Sequence, residues 1–416
     1  MVKNRLASSI TIIVVVVSMI LATIVLSGCR DVTAVFAWYE GSTQFDNLPI
    51  IMNAGETLVV TRNHFEHLDV DFESFEIWVN VENGIVGNPI ENSAVVAVDG
   101  NTIIAGNSGH VLISATLTMP REGSTQRHWG VWLAWIYVIN ENTMTHITTP
   151  EELANINDNL TGHFILMDDI DLGDYEWTPI GQSTIIAECD NCAGRVQGLR
   201  CECGAFRGFF VNPHGYVISN LTITKYENTD VGLFGLVYGS AFIDGVILEN
   251  ISIDTSGYYG NDFDSPRTGG LVGITFGMPA IMNVSVQGYV TGGGTNTGGI
   301  VGFNDGIIVN SRFEGTLNAT GKWNSSDFGI GGIVGRNFFV NRNGLTANIV
   351  NCTVRAYIDG EEWANAGGIA GVVSNNSAII DSKFEGDLTM ITGRRAGTKI
   401  GLVVWSGGIL GPINFD

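Results

Sequence analysis

The sequence predicts an all-β protein in two parts, a β-sandwich followed by a repeating solenoid with a short capping helix. Three observations carry this reading. Short apolar runs broken by turn residues fill the region from Val32 to about Asn140. A glycine-bracketed box then returns six times between Gly232 and Gly411. Between the two lies one segment with helix-start signals. Composition agrees: glycine supplies 54 of 416 residues, nearly double the usual ~7%. It shows no Gly-X-Y period, so glycine-punctuated strands are favoured over collagen. With 45% apolar and 15% charged residues, the chain can bury a core and is not disordered. A formal charge of −22 argues against nucleic acid as a partner, because phosphate binding needs clustered Lys and Arg.

The first residues are a targeting segment. Lys3 and Arg5 precede an apolar run from Ile10 to Val25, and Leu26-Ser27-Gly28-Cys29 follows. A basic head, an apolar segment and small residues before a cut make a secretory leader. An uncleaved anchor is the alternative, since Ile10 to Leu26 is almost long enough to span a bilayer. Leu-Ser-Gly-Cys resembles the bacterial lipoprotein box. That resemblance implies a leader over 1–28, lipid on Cys29, and a mature protein anchored to the bacterial envelope and facing outward.

From there the strand candidates run in order. They are ETLVVTR, EIWVNVE, SAVVAVDGNTIIAG and HVLISATLTM, with turns at Asp99-Gly100-Asn101 and Asn107-Ser108-Gly109. This spacing of strands predicts a sandwich. RHWGVWLAWIYVIN is its closing strand, with Trp129, Val131, Leu133, Trp135 and Tyr137 expected on one face. Core or interdomain packing is the expected role of these tryptophans, although an exposed one could stack on sugars. The run from Asn92 to Leu117 resembles bacterial Ig-like domains of group 2, with their V-x-V-D-x-x-G and G-x-x-x-I-x-A ending. The resemblance implies an Ig-like domain over 29–141. His64-Phe65-Glu66-His67 lacks the His-Glu-x-x-His spacing of zinc proteases and sits in this strand-rich region.

THITTPEELANINDNL is the helix candidate. Thr148 or Thr149 can cap it, Pro150 suits the first turn, Glu151 and Glu152 favour the helix dipole, and Leu153 and Ile156 form an apolar face. HFILMDDIDL, WTPIG and FRGFFVNPHGYVISNLTI follow. The boxes then begin with Gly232-Leu233-Phe234-Gly235. They continue as Gly269-Gly270-Leu271-Val272-Gly273 and its counterparts starting at Gly298, Gly331, Gly367 and Gly407. This order resembles GLUG-type repeat regions of bacterial surface proteins, which also occur beside some immunoglobulin-A peptidases, over roughly Thr145 to Gly411. It implies a right-handed parallel β-helix of the pectin-lyase-like kind, with a cap and first rungs over 142–228 and repeats over 229–416.

Every box but the last precedes a second strand. Four of these align on Val286, Phe313, Val354 and Phe384. Two residues earlier stand Val284, Ser311, Cys352 and Ser382; four earlier, Met282, Val309, Val350 and Ile380; four later, Val290, Leu317, Ile358 and Leu388. Period two predicts that all of these point inward. The positions between them are polar: Asn283, Asn310, Asn351 and Asp381, then Ser285, Arg312, Thr353 and Lys383, then Gln287, Glu314, Arg355 and Glu385. If one repeat is one coil, equivalent residues stack about 4.8 Å apart, so Glu314, Arg355 and Glu385 alternate in sign. Glycines at the box serve bends, through positive φ or through close backbone approach. Loops of varying length leave the coils, and binding specificity in solenoids usually resides there. The outward residues Asn310, Arg312, Glu314, Arg355 and Glu385 make up the candidate binding surface.

Chemistry is sparse. Cys189, Cys192, Cys201 and Cys203 cluster in one insertion and fit either a four-thiolate zinc or iron site or two nested disulfides. Both roles are structural. No cofactor is required, and a structural zinc is the one candidate. Asp168, Asp169 and Asp171 invite comparison with carboxylate-based polysaccharide enzymes, but such residues also satisfy turns. No nucleophile elbow or phosphate loop is present. The expected function is a lipid-anchored surface adhesin or display module without catalysis, meeting a protein or glycan ligand on another cell or matrix. A β-helix polysaccharide lyase or hydrolase and a structural envelope component are the alternatives.

Overall fold

The computed structural model describes residues 49–68, 70–80, 94–120, 128–182, 204–224, 230–257, 266–320, 328–338, 347–360, 365–373 and 377–390. The chain divides into two units, Met1–Asn140 and Glu141–Asp416. Among the described residues the protein is mostly β, with one short α-helix and long stacks of parallel strands in the manner of a solenoid.

In the first unit, strands β1 (Ile50–Asn53), β2 (Thr57–Val59), β3 (Ser74–Asn80), β4 (Val96–Asp99), β5 (Thr102–Ala105), β6 (Gly109–Thr118) and β7 (His128–Ile139) form two sheets. One has the order β1-β7-β6-β3 and the other β2-β5-β4. Residues of both sheets, among them Ile77, Ile103, Val111, Ile113 and Ile136, share one core. β4 and β5 turn through Gly100 and Asn101, with Gly100 at φ 60°, as the Asp-Gly-Asn turn predicts. β6 alternates buried and half-buried residues along its whole length.

β7 departs from its predicted face. The pairing with β6 shifts between Ile113 and Ser114: Ile113 lies opposite Ala134, but Ser114 lies opposite Trp132. Leu133 is therefore an extra residue, a β-bulge that reverses the alternation of the strand. Beyond it Ile136 and Val138 enter the core, while Trp135 and Tyr137 pack against His110 instead. His64-Phe65-Glu66-His67 lies among these strands in a 3-10 helix, Arg62–Leu68. Thr61 donates its backbone N–H to His64 Nδ1 at 2.9 Å.

The second unit opens with helix α1 (Pro150–Ala154). Thr149 is its N-cap and its hydroxyl accepts from the Glu152 N–H, while the Glu152 carboxylate accepts from the Thr148 N–H at 2.7 Å. This is a reciprocal capping arrangement. Leu153 and Ile156 are fully buried, as their spacing predicts.

From Arg267 onward four strands make each coil. In one coil they are Arg267–Gly269, Val272–Phe276, Ala280–Met282 and Ser285–Gly292. Each pairs in parallel with its counterpart one repeat later, so four parallel sheets stack along the unit. A main core runs through the stack. One of its walls is the register row Phe164, Phe210, Ile243, Ile281, Ile308 and Ile349. Val286, Phe313 and Val354 face it from the long strands.

At the box, close approach decides for glycine. None of Gly270, Gly299, Gly332 and Gly368 has positive φ. A Cβ on Gly299 would meet the Phe313 ring and the Gly332 carbonyl, and one on Gly332 would meet Val354. The second box glycine is thus the socket for the aligned inward residue of its own coil, which couples the two halves of these four repeats.

One inward row needs correction. Ser311, Phe313 and Leu317 are buried as predicted, but it is Ile308, and not Val309, that belongs to the main core. The same holds for Ile281 over Met282 and Ile349 over Val350. The reason lies at the next residue. Asn283, Asn310 and Asn351 adopt left-handed φ of 55°, 51° and 52°, which turns the chain at a corner and resets the alternation. Asparagine tolerates this backbone because its short amide bonds locally.

Candidate binding surface

The long strands Ile247–Asp254, Ser285–Gly292, Arg312–Ala319, Thr353–Gly360 and Lys383–Met390 lie side by side in one parallel sheet. From Ser285–Gly292 onward their register is unbroken, which places each row. Across the middle run Gly288, Gly315, Ala356 and Gly386, paired in register. The three glycines have φ of 145°, 150° and 156°, backbone that side chains disfavour, and a Cβ on Gly315 would strike the Gly288 carbonyl. This row forms the floor of a shallow open groove of about 630 Å³ that crosses the strands along the stacking direction.

Two outward rows wall the groove. One is Gln287, Glu314, Arg355 and Glu385; the other is Tyr289, Thr316, Tyr357 and Asp387. Tyr289 is 62% exposed and Tyr357 43%, unusual for large aromatic residues in a folded sheet. Thr389 holds the Tyr357 hydroxyl at 3.1 Å and itself donates to Asp359 at 3.0 Å. The Tyr357 ring is therefore oriented before any ligand arrives.

The charged wall stacks with alternating sign, as its spacing predicts. Arg355 Nε donates to Glu385 at 2.8 Å, and Lys383 also pairs with Glu385. Lys383 first, and then Arg355, hold the Glu385 carboxyl below its ordinary range. Glu385 in turn, with Glu314 adding to it, raises the affinity of the Arg355 guanidinium for its proton. These groups are exposed, and such pairs contribute little to stability.

The five sequence candidates separate in space. Glu314 and Arg355 line the groove. Glu385 belongs to the charged row beside it. Arg312 donates to Ser285 Oγ at 2.8 Å. Asn310 serves the scaffold: its amide donates to Asn283 at 3.3 Å and its oxygen accepts from Asn351 at 2.8 Å. Tyr289 and Tyr357 escaped the sequence reading. They lie three residues beyond the aligned Val286 and Val354 and one before the aligned Val290 and Ile358, in the outward row between them, and filling in that row finds them.

The remaining candidates do not converge on a site. The three aspartates act in turns: Asp168 accepts from the Asp169 N–H, Asp169 from the Val217 N–H, and Asp171 from the Gly173 N–H and from Asn220. Cys352 is buried and makes no disulfide; burial pushes its thiol up to about 12, which suits a core residue and not a nucleophile. Cys29, with the leader, lies outside the described residues, as do Cys189, Cys192, Cys201 and Cys203. The structural zinc is corrected: among the described residues no group of three or more His, Cys, Asp or Glu side chains gathers to hold a metal ion. In the first unit a concavity of about 580 Å³ is lined by Arg62, Phe72 and Trp78 among others, but Arg62 is engaged there by the Phe72 carbonyl at 2.6 Å and by Asp71.

No family model matches the chain, and comparison with curated proteins gives no match either.

Proposed function

We propose that the protein is a lipid-anchored surface module that binds and displays without catalysis. In this reading the leader is cut before Cys29, lipid on Cys29 holds the chain to the envelope, and an Ig-like sandwich precedes the binding unit along the chain. A right-handed, GLUG-type β-helix then presents its long-strand sheet outward. The observation that carries the reading is the groove over Gly288, Gly315, Ala356 and Gly386, with two exposed tyrosines on its rim. Large aromatic rings left in water on a rigid sheet are a recognition device more than a packing one. Asp168, Asp169 and Asp171 are bound into turns, which favours binding over hydrolysis.

The test is retention. Beads coated with the full chain are passed over immobilised cell-surface polysaccharides and matrix proteins, alongside a Tyr289→Ala/Tyr357→Ala variant. Retention by the parent that falls severalfold in the variant supports the reading. Equal retention by both, or retention by neither, overturns it, as does turnover of any immobilised polysaccharide.

A further inference from the structure

Resting on that reading, we infer that the groove takes an extended, uncharged polysaccharide chain lying along the stacking direction, with Tyr289 and Tyr357 as its two stacking platforms. Four observations support this.

The groove is linear. Its lining repeats across five neighbouring strands, from Glu249 and Asn250 through Gln287 to Tyr289, Glu314 to Thr316 and Arg355 to Tyr357, ending at Gly386 and Asp387. At ~4.8 Å per strand this is a run of roughly 19 Å. One pyranose unit of an extended chain advances by nearly the strand spacing, so successive sugars meet successive strands.

The aromatic rings are spaced to suit. Tyr289, Thr316 and Tyr357 share one register row, so the two rings stand two strands apart, roughly 10 Å. That is the length of two pyranose units. A tyrosine ring offers an apolar face to sugar C–H groups while its hydroxyl stays wet, and the Tyr357 ring is already fixed through Thr389.

The charge selects. Glu249, Glu314 and Asp387 line the groove against the single cation Arg355, which is already paired with Glu385. A chain of uronates or sulfated sugars would be repelled by these acids and by the net −22 of the protein. Uncharged hydroxyls, in contrast, are good donors to carboxylates.

The floor cannot host an added β-strand, because the groove crosses the strands and the long sheet's own N–H and C=O groups are paired within it. A peptide joined by strand addition therefore finds no partner on this floor.

The experiment titrates the full chain, in a zwitterionic detergent without a sugar headgroup, with uncharged hexasaccharides of β-1,4-linked glucose, mannose and xylose. A galacturonate hexamer of equal length is the charged control, and the matching disaccharides test length. At least one neutral hexamer binds, about tenfold or more tighter than its disaccharide and than the galacturonate. Tyr289→Ala/Tyr357→Ala weakens it about tenfold or more, while Tyr357→Phe, which keeps the ring, stays within about threefold. Unchanged thermal melting of the variants excludes misfolding as the cause. Binding of galacturonate as tight as of the neutral chain overturns the inference, and so does neutral binding indifferent to both tyrosines. If no hexamer binds while beads still depend on the tyrosines for retention, the inference falls and the surface-binding reading stands. If both fail, both fall.

Discussion

In the first unit each core residue is placed once; in the second the same placement is repeated coil after coil. Both contain a point where strand alternation breaks. In the first it is the bulge at Leu133, which moves Trp135 and Tyr137 to the face of His110 and brings Ile136 and Val138 into the core. In the second it is the left-handed corner residue, at Gly245, Asn283, Asn310, Asn351 and Asp381. A bulge that occurs once leaves no trace in the sequence that averaging can recover. A corner that occurs five times leaves a glycine, three asparagines and an aspartate in register. The comparison shows that repetition makes irregularity legible, and that it also divides stability into nearest-neighbour shares.

The sharpest way to break this contrast is a cavity in the unit that has no repeats. Ile113→Ala, at a fully buried position, is expected to cost about 4 kcal/mol and to unfold the first unit as one step in chemical denaturation. The solenoid's amide protection should not change; loss of protection in both units together would show that they fold as one. Gly299→Ala is the counterpart in the solenoid. Its Cβ drives into the Phe313 ring and a backbone carbonyl that cannot yield, for a cost of about 3 kcal/mol. Hydrogen exchange should place the damage in the coils on either side and leave distant coils protected. Uniform loss across the unit would refute the nearest-neighbour picture.

Asn351→Ala tests the corner itself. It loses the bond to Asn310 and puts a strained residue at positive φ, together about 1–2 kcal/mol, whereas Asn351→Gly should recover part of that. If alanine and glycine behave alike in denaturant titration, backbone strain is not the determinant. The smallest effect is in pH. Glu152 has its pKa lowered, first by the Thr148 N–H and then by the Thr148 hydroxyl. Its contribution is present above the ordinary glutamate value and fades as pH falls through the lowered one. Asp244 has its pKa raised by burial, against the pull of its bond from Asn283, so its contribution is present below the ordinary aspartate value and fades as pH rises through the raised one. Melting curves of Glu152→Gln and Asp244→Asn should lose pH dependence with opposite slopes; equal slopes would sink this assignment.

Much of the second unit was readable in advance. The helix cap, the inward Ser311, Phe313 and Leu317, and the alternating Glu314, Arg355 and Glu385 follow from period and capping chemistry alone. What failed was extrapolation past a change of backbone conformation: Val309 was assigned through the corner, and Tyr137 through the bulge. Composition told that glycine was essential at the box without deciding why, since positive φ and crowding have the same signature in sequence. The groove was half legible. Its charged wall stood out as a row of opposite signs, while its tyrosines stand in an outward row between the aligned positions and alternate with Thr316 and Asp387, so they make no motif.

The amides of the left-handed asparagines also have a direction. Asn220 donates to Asp171 and Asn250 to Asn220; Asn283 donates to Asp244, Asn310 to Asn283 and Asn351 to Asn310. Every proton points toward the N-terminal end, and each run is seated on an aspartate, which as a carboxylate can only accept. The row is therefore a one-way thread with a written beginning. A coil can be duplicated inside a run without disturbing its grammar, because each asparagine both accepts and donates. A coil inserted beneath Asp171 or Asp244 would have to present a donor where the thread expects none. Gain and loss of coils among descendants of this sequence should accordingly fall between asparagines, so that lengths vary from within while the two aspartate-seated starts stay put.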